Sequence, residues 1–277
     1  MFRDKEFLDS LLIEEKDYWY SQLEQANYGN IEAIKRLAAL FFTYEQFEAT
    51  VYWLCEAGDD AEAQYELANM YLQGLGVEES EEKALELYKK AAEQEHADAA
   101  NNLADMYFNG EGVEVNEALA LHWFSRAANA GVVEAMFTLG IMYEQGLGVA
   151  QNEEKAFAYY LQAAIGGYQD AQYRVGTIYL EGLLGQQPDI QLAIDYFVRA
   201  ASEHSVDALF NLGYIYAEPN FAVQDGKKAV HYFKQAALLG DKEAKLQLAR
   251  LYERGQIIER DEKEAQRWRA AANDQDV

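Results

Sequence analysis

Cysteine and proline are almost absent from this chain of 277 residues. The single cysteine, Cys55, excludes an intramolecular disulfide framework and any zinc site built from several cysteines. Because its neighbours Trp53 and Leu54 are apolar, Cys55 is predicted to be a small buried residue. Only two prolines, Pro188 and Pro219, interrupt the chain, and this scarcity of helix breakers favours a helical protein.

Basic residues are scarce as well, since 23 Lys and Arg residues stand against 48 Asp and Glu residues, for a net charge of -25. Such a chain would repel the phosphate backbone of nucleic acids and the headgroups of anionic lipids. We therefore expect neither nucleic acid nor a membrane among its partners. The acidic excess favours a protein partner with a basic surface, because opposite charge steers association.

Long hydrophobic runs are also missing. No stretch approaches the roughly 18 unbroken apolar residues of a transmembrane helix. Near the N-terminus, acidic residues such as Asp4 and Glu6 interrupt the apolar runs, so no signal-peptide core is expected. Half of the residues are apolar and 13% are aromatic, which is enough for a packed core. These observations predict a soluble, cytoplasmic protein.

The chain does contain an internal repeat with a period of 36 or 37 residues. In each copy an acidic residue precedes an alanine, a leucine or valine follows four residues later, and a tyrosine follows four residues after that. Side chains spaced by four share one face of a helix, and a glycine three residues after the tyrosine can end that helix. The anchor alanines are Ala63, Ala99, Ala135, Ala171, Ala208 and Ala244.

A second helix is predicted in each copy, with a buried stripe of small and aromatic residues such as Ala84, Tyr88, Ala91 and Ala92. Small residues allow neighbouring helices to approach closely. The predicted starts of these second helices are Glu81, Asn116, Glu153, Ile190, Gly226 and Glu262.

The segments from Asp98 to Gly131 and from Glu134 to Val149 resemble the consensus of the Sel-one-like repeat family, a relative of the tetratricopeptide repeats. The resemblance implies an all-α, right-handed α-solenoid (superhelix) of two-helix repeats that binds other proteins, and many members of the family are bacterial. We expect six repeats over residues 60–273, an N-terminal helical cap with a degenerate repeat over 1–59, and a tail at 274–277. The degenerate copy lacks the glycine loop and is six residues short.

No motif for catalysis, cofactor binding or metal binding emerges from the sequence. The glycine motifs follow predicted helices rather than strands, and no Gly-Lys-Ser/Thr follows them. His122 and His231 lie three repeats apart, whereas His96 and His204 fall at turns between repeats. We therefore predict a protein that is not an enzyme, with no cofactor, no metal and no catalytic residue.

The candidate binding residues come from the analogy with tetratricopeptide repeats, in which the first helices line the concave face. The inward positions would then lie two, six, nine and ten residues after each anchor alanine. Aromatic and aliphatic groups beside Asn and Asp make this row a plausible binding track. The predicted partner-binding residues are Tyr65, Asn69, Leu72, Asn101, Asp105, Phe108, Phe137, Ile141, Glu144, Tyr173, Thr177, Leu180, Phe210 and Tyr214.

Two functions are compatible with these features. The first is a non-enzymatic scaffold or adaptor that binds a basic partner in the concave groove. The alternative is a bacterial immunity or inhibitor protein that neutralises a toxin or a nucleic-acid enzyme by covering its basic site. The sequence identifies neither the partner nor the oligomeric state.

Overall fold

The computed structural model describes residue 5, residues 7–9 and residues 13–273, and every regular element in that part of the chain is an α-helix. This confirms the predicted all-α fold of two-helix repeats, the architecture of the solenoid class. The predicted tail at 274–277 and part of the N-terminal cap lie outside the described residues. The helices are α1 (Ile13–Asn27), α2 (Ile31–Thr43), α3 (Phe47–Glu56), α4 (Ala61–Gln73), α5 (Glu81–Glu93), α6 (Ala97–Asn109), α7 (Glu117–Asn129), α8 (Val133–Gln145), α9 (Glu153–Ile165), α10 (Gln169–Glu181), α11 (Ile190–Ser202), α12 (Val206–Ala217), α13 (Gly226–Leu238), α14 (Lys242–Arg254) and α15 (Glu262–Asn273).

The six predicted second helices are present. Five of them begin at the predicted residue, and α7 begins at Glu117, one residue after the predicted Asn116. Asn116 is the N-cap of that helix, since its side-chain oxygen accepts a hydrogen bond from the backbone N–H of Leu119 at 3.0 Å. Capping chemistry therefore explains the one-residue difference.

Polar caps and glycines fix the ends of the first helices. The carboxylate of Asp60 accepts a hydrogen bond from the backbone N–H of Ala63 at 3.0 Å, and Glu62 adds negative charge to the first turn of α4. Gly74 ends α4 in the left-handed conformation, with φ of 65°. In the loop that follows, Gly76 also has a positive φ, and a Cβ there would lie 2.4 Å from the carbonyl carbon of Phe47. Only glycine fits where the loop crosses the start of α3.

The buried stripe of the second helices is the predicted one. Ala84, Tyr88, Ala91 and Ala92 of α5 are fully buried. Among the first helices, Leu139 of α8 is also fully buried. The first helix of the shorter N-terminal repeat, α2, also buries residues spaced by four; they are Ala33, Leu37 and Phe41.

Glycines inside three first helices allow a close approach that the sequence reasoning did not anticipate. They stand five residues after the anchor alanine, and each meets the ring of the buried aromatic in the following helix. A Cβ at Gly140 would lie 2.6 Å from the ring of Tyr160, and one at Gly213 would lie 2.6 Å from the ring of Phe233. The same relation holds for Gly176 and Phe197, at 2.8 Å.

Cys55 contradicts its prediction, because its side chain is exposed. The buried residues of α3 are Thr50, Trp53 and Leu54, and Ala57 continues the stripe just after the helix. Cys55 therefore falls on the outer side of the helix, so its apolar neighbours in sequence are not its neighbours in space.

The chain divides into two compact units. Of the described residues, the N-terminal unit comprises those up to residue 139 together with 147–150, and the C-terminal unit comprises 140–146 and those from 151 to 273. In the described residues, no helix is both long enough and apolar enough to span a membrane.

Candidate functional site

All the predicted partner-binding residues are partly accessible, and none belongs to the fully buried core. Tyr214 is the most open of them, with 43% of its surface exposed. In the N-terminal unit this row, which we call the N-terminal first-helix row, comprises Tyr65, Asn69, Leu72, Asn101, Asp105, Phe108 and Phe137. In the C-terminal unit the corresponding row comprises Ile141, Glu144, Tyr173, Thr177, Leu180, Phe210 and Tyr214.

The aromatic members of both rows also contribute to packing. The ring of Phe108 contacts Phe124 edge to face, with centroids 6.2 Å apart. The ring of Tyr65 stacks on the imidazole of His96, with centroids 4.6 Å apart. One side of each ring is thus used inside the protein, while the rest of its surface is available to a partner.

His96 caps a helix in the structure. Its Nδ1 accepts a hydrogen bond from the backbone N–H of Ala99 at 3.2 Å, which makes it the N-cap of α6. Its Nε2 lies 3.4 Å from the carboxylate of Glu62. A structural role at the turn between repeats therefore accounts for this histidine.

Asp105 holds a partly buried carboxyl group in the N-terminal first-helix row. The side-chain amide of Asn101 donates a hydrogen bond to its Oδ2 at 3.1 Å. Burial raises the pKa of Asp105 to about 6, and the nearby charge of Glu111 acts in the same direction. No lysine or arginine in the described part of the chain forms an ion pair with Asp105.

Asn101 adds an unused acceptor beside that carboxyl group. Its Oδ1 is buried and has no hydrogen-bond partner among the described residues. In the preceding repeat, Asn69 stands at the position equivalent to Asp105, and its Oδ1 is already occupied by a hydrogen bond from the hydroxyl of Tyr88 at 2.5 Å. Asn101 and Asp105 therefore form a pair of acceptors whose natural complement is a hydrogen-bond donor with positive charge.

Glu144 of the C-terminal row differs from Asp105, because its charge is already paired. Its Oε1 forms an ion pair with the guanidinium of Arg174, and its Oε2 accepts a hydrogen bond from the hydroxyl of Tyr160 at 2.6 Å. This carboxylate joins α8, α9 and α10 within the C-terminal unit. The structure therefore gives Glu144 an internal role that its sequence position did not indicate.

A cleft in the N-terminal unit was missed by the sequence reasoning. It has a volume of about 510 Å³ and lies between α2 and α4, above α3; we call it the α2/α4 cleft. The degenerate repeat has a short second helix, α3, of 10 residues, whereas the second helix of the next repeat, α5, has 13. The missing residues of the degenerate repeat were the signal in the sequence that pointed to this gap.

The lining of the α2/α4 cleft is apolar with charged edges. The side chain of Phe42 stands at its rim with 48% of its surface exposed, and Leu54 and Met70 are buried beneath. Glu66 lies on the α4 wall, where partial burial raises the pKa of its carboxyl group despite a hydrogen bond from Asn69. Such a surface can hold an apolar side chain and a neighbouring charge.

A metal site would draw on the His, Cys, Asp and Glu side chains of the described residues. Among residues 5, 7–9 and 13–273, no group of three or more His, Cys, Asp or Glu side chains is arranged to hold a metal ion.

Comparison with known structures supports the same architecture. The chain is similar to c5321, a protective antigen of uropathogenic Escherichia coli strains with an SLR fold, at 29% identity and a TM-score of 0.76; the match covers 89% of this chain and 54% of that one. It is also similar to a Sel1 repeat protein from Oxalobacter formigenes, at 28% identity and a TM-score of 0.72, covering 88% of this chain and 99% of that one.

A curated relative matches over a shorter stretch. The chitin synthase regulator SKT5 of Saccharomyces cerevisiae is 40% identical over 84 residues, which are 29% of this chain and 12% of SKT5. The present chain thus corresponds to a small part of SKT5 and to about half of the E. coli antigen.

The repeat itself matches a known family model along most of the chain. The model of the Sel1 repeat matches residues 61–96, 97–132, 133–168, 169–205, 206–241 and 242–276. Proteins built from this repeat generally mediate protein–protein interactions and are typically non-catalytic scaffolds. With six consecutive copies, the protein belongs to the Sel1 repeat family.

Proposed function

We propose that this protein is a non-enzymatic scaffold that binds a partner protein through its first helices, and that the partner presents a basic surface. The observation that carries the proposal is the carboxyl group of Asp105. It is partly buried, it lies beside the unused acceptor of Asn101, and no cation of the described residues pairs with it. A lysine or arginine of the partner would supply the missing donor and charge.

The apolar members of the N-terminal first-helix row would supply most of the affinity. Phe108 lies three residues after Asp105, close to one turn further along the same helix. Buried aromatic contacts dominate the free energy of binding at protein interfaces, whereas exposed acids mainly accelerate association. The overall excess of acidic residues, 48 against 23 basic ones, supports a basic partner.

Capture of partners from a lysate of the source organism, at low and high salt, tests this proposal. The parent protein is compared with Phe108→Ala and Asp105→Asn, and with Leu119→Ala as a matched control. Leu119 is an exposed residue of α7, the second helix of the same repeat. Circular dichroism checks that each variant is folded.

We expect proteins with basic surfaces to be captured by the parent and by Leu119→Ala, and to be lost with Phe108→Ala. Asp105→Asn should reduce capture most at low salt, because charge attraction is screened at high salt. Equal capture by all the folded variants would show that the partner does not use this row. Several partners of moderate affinity favour the adaptor hypothesis, whereas one tightly bound toxin or nuclease favours the inhibitor hypothesis.

A further inference from the structure

We infer that the α2/α4 cleft receives an apolar side chain from a basic segment of the partner, while Glu66 receives the lysine or arginine next to that side chain. This inference rests on the proposed function and adds a defined anchoring point to it. The cleft lies in the degenerate repeat and the first regular one, before the row residues Asn101, Asp105 and Phe108.

The apolar part of the argument comes from the shape of the cleft. Its volume of about 510 Å³ falls within the range of pockets that hold ligands and side chains. Ala39 is small and exposed on the α2 wall, so the space above Leu54 stays open. Phe42 presents an exposed ring at the rim, and exposed aromatic rings beside a pocket are typical anchors of protein interfaces.

The charges around the cleft select a basic occupant. Glu62 and Glu66 are the acidic residues that line it, and Lys35 and Arg36 are the basic ones. One of the two, Lys35, is already neutralised within the unit, because its Nζ lies 3.0 Å from Glu32 and 3.6 Å from Asp60. The other, Arg36, contacts only an amide, with its Nη1 3.5 Å from the side-chain oxygen of Gln22.

The position of the charges also indicates which wall of the cleft the partner cation would approach. Arg36 lies on the α2 wall, and Glu62 and Glu66 lie on the α4 wall. A partner cation is therefore repelled from α2 and attracted to α4. A second copy of this chain is a poor occupant, because its net charge of -25 would oppose association.

Binding of labelled model peptides, measured by fluorescence anisotropy at two salt concentrations, tests the inference. The probe is a short peptide of alternating leucine and lysine. Two further peptides replace either every leucine with serine or every lysine with glutamate. The leucine–lysine peptide should bind more tightly than both, because only it supplies the apolar anchor and the positive charge.

Two pairs of variants locate the binding in the cleft. Ala39→Phe fills the cleft and should weaken binding of the leucine–lysine peptide about tenfold or more. Ala118→Phe is the matched control, since Ala118 is an exposed alanine of α7 and should leave binding unchanged. Glu66→Gln should weaken binding and reduce its salt dependence, whereas Glu86→Gln, at an exposed position of α5, should have a smaller effect.

The inference is overturned if the leucine–lysine peptide does not bind the parent, if the leucine–glutamate peptide binds as tightly, or if folded Ala39→Phe binds like the parent. These results are separable from the capture experiment. Should captured partners depend on Phe108 but not on Ala39, the proposed function stands and the cleft is not its anchor. Partner capture that depends on neither residue contradicts both proposals.

Discussion

The carboxyl group of Asp105 should destabilise the protein at neutral pH, and its removal should reveal the size of this effect. Burial and the charge of Glu111 raise the pKa of Asp105 from an ordinary value of 3.8 to about 6. In the unfolded chain the group ionises near its ordinary value, so between these two values the folded state binds more protons. The free energy of unfolding therefore falls as the pH rises from about 4 to about 6, and the loss is complete above that range.

The magnitude follows from the size of the shift. About two pKa units correspond to an upper figure of about 3 kcal/mol. Asp105 retains partial contact with water, so screening reduces the expected effect to roughly 1–2 kcal/mol. Asp105→Asn removes the charge and preserves an oxygen that can accept the hydrogen bond from Asn101. We expect this variant to unfold about 2–6 °C higher than the parent at pH 7.5, and at the same temperature near pH 4.

Thermal unfolding followed by circular dichroism at several pH values between 4 and 8 measures this difference. Because any loss of negative charge relieves repulsion in so acidic a chain, Glu86→Gln at an exposed position serves as the charge-matched control. Its stabilisation at pH 7.5 should be smaller, because Glu86 is exposed to water. The reasoning would be refuted if Asp105→Asn were neutral or destabilising at pH 7.5, or if it raised the unfolding temperature no more than Glu86→Gln does.

Three further predictions concern the packing of the repeats. Leu139→Ala empties a fully buried site and should lower the free energy of unfolding by about 2–5 kcal/mol, measured by denaturant titration; an unchanged midpoint would contradict the buried register. Gly213→Ala should lower stability by about 1–3 kcal/mol, although alanine is the better helix former, because its Cβ would lie 2.6 Å from the ring of Phe233. A double-mutant cycle between Glu144→Gln and Arg174→Gln should give a coupling energy of about 1 kcal/mol, and a value near zero would show that their ion pair does not stabilise the C-terminal unit.

The helices could be predicted from the sequence because the same local sequence features recur in each repeat. Anchor alanines, capping residues and helix-ending glycines recur at fixed spacing, so an error in one copy is corrected by the others. In the degenerate copy no such redundancy exists. There, the prediction that Cys55 is buried is wrong, because flanking residues in sequence do not determine which side of a short helix faces the core.

The candidate site was only partly accessible to sequence reasoning. The predicted binding positions could be counted from the anchors, and the structure leaves the predicted residues partly accessible. Whether the charge of each residue is paired could not be predicted from the spacing, because it depends on side chains of other helices. Glu144 and Asp105 occupy related rows, yet one meets Arg174 and the other meets no cation of the described residues.

The close contact between a glycine of one helix and a ring of the next has a consequence for how such a protein can change during evolution. In the C-terminal unit, Gly140 and Tyr160, or Gly213 and Phe233, lie so close together that a larger residue at the glycine would force the ring to move. The two members of a pair lie 20 residues apart, within one two-helix segment. Duplication or recombination that cuts between repeats keeps every pair intact, whereas a cut between the two helices of a repeat separates them. Whole repeats are therefore the units in which this chain can be lengthened, shortened or exchanged without separating a glycine from its ring.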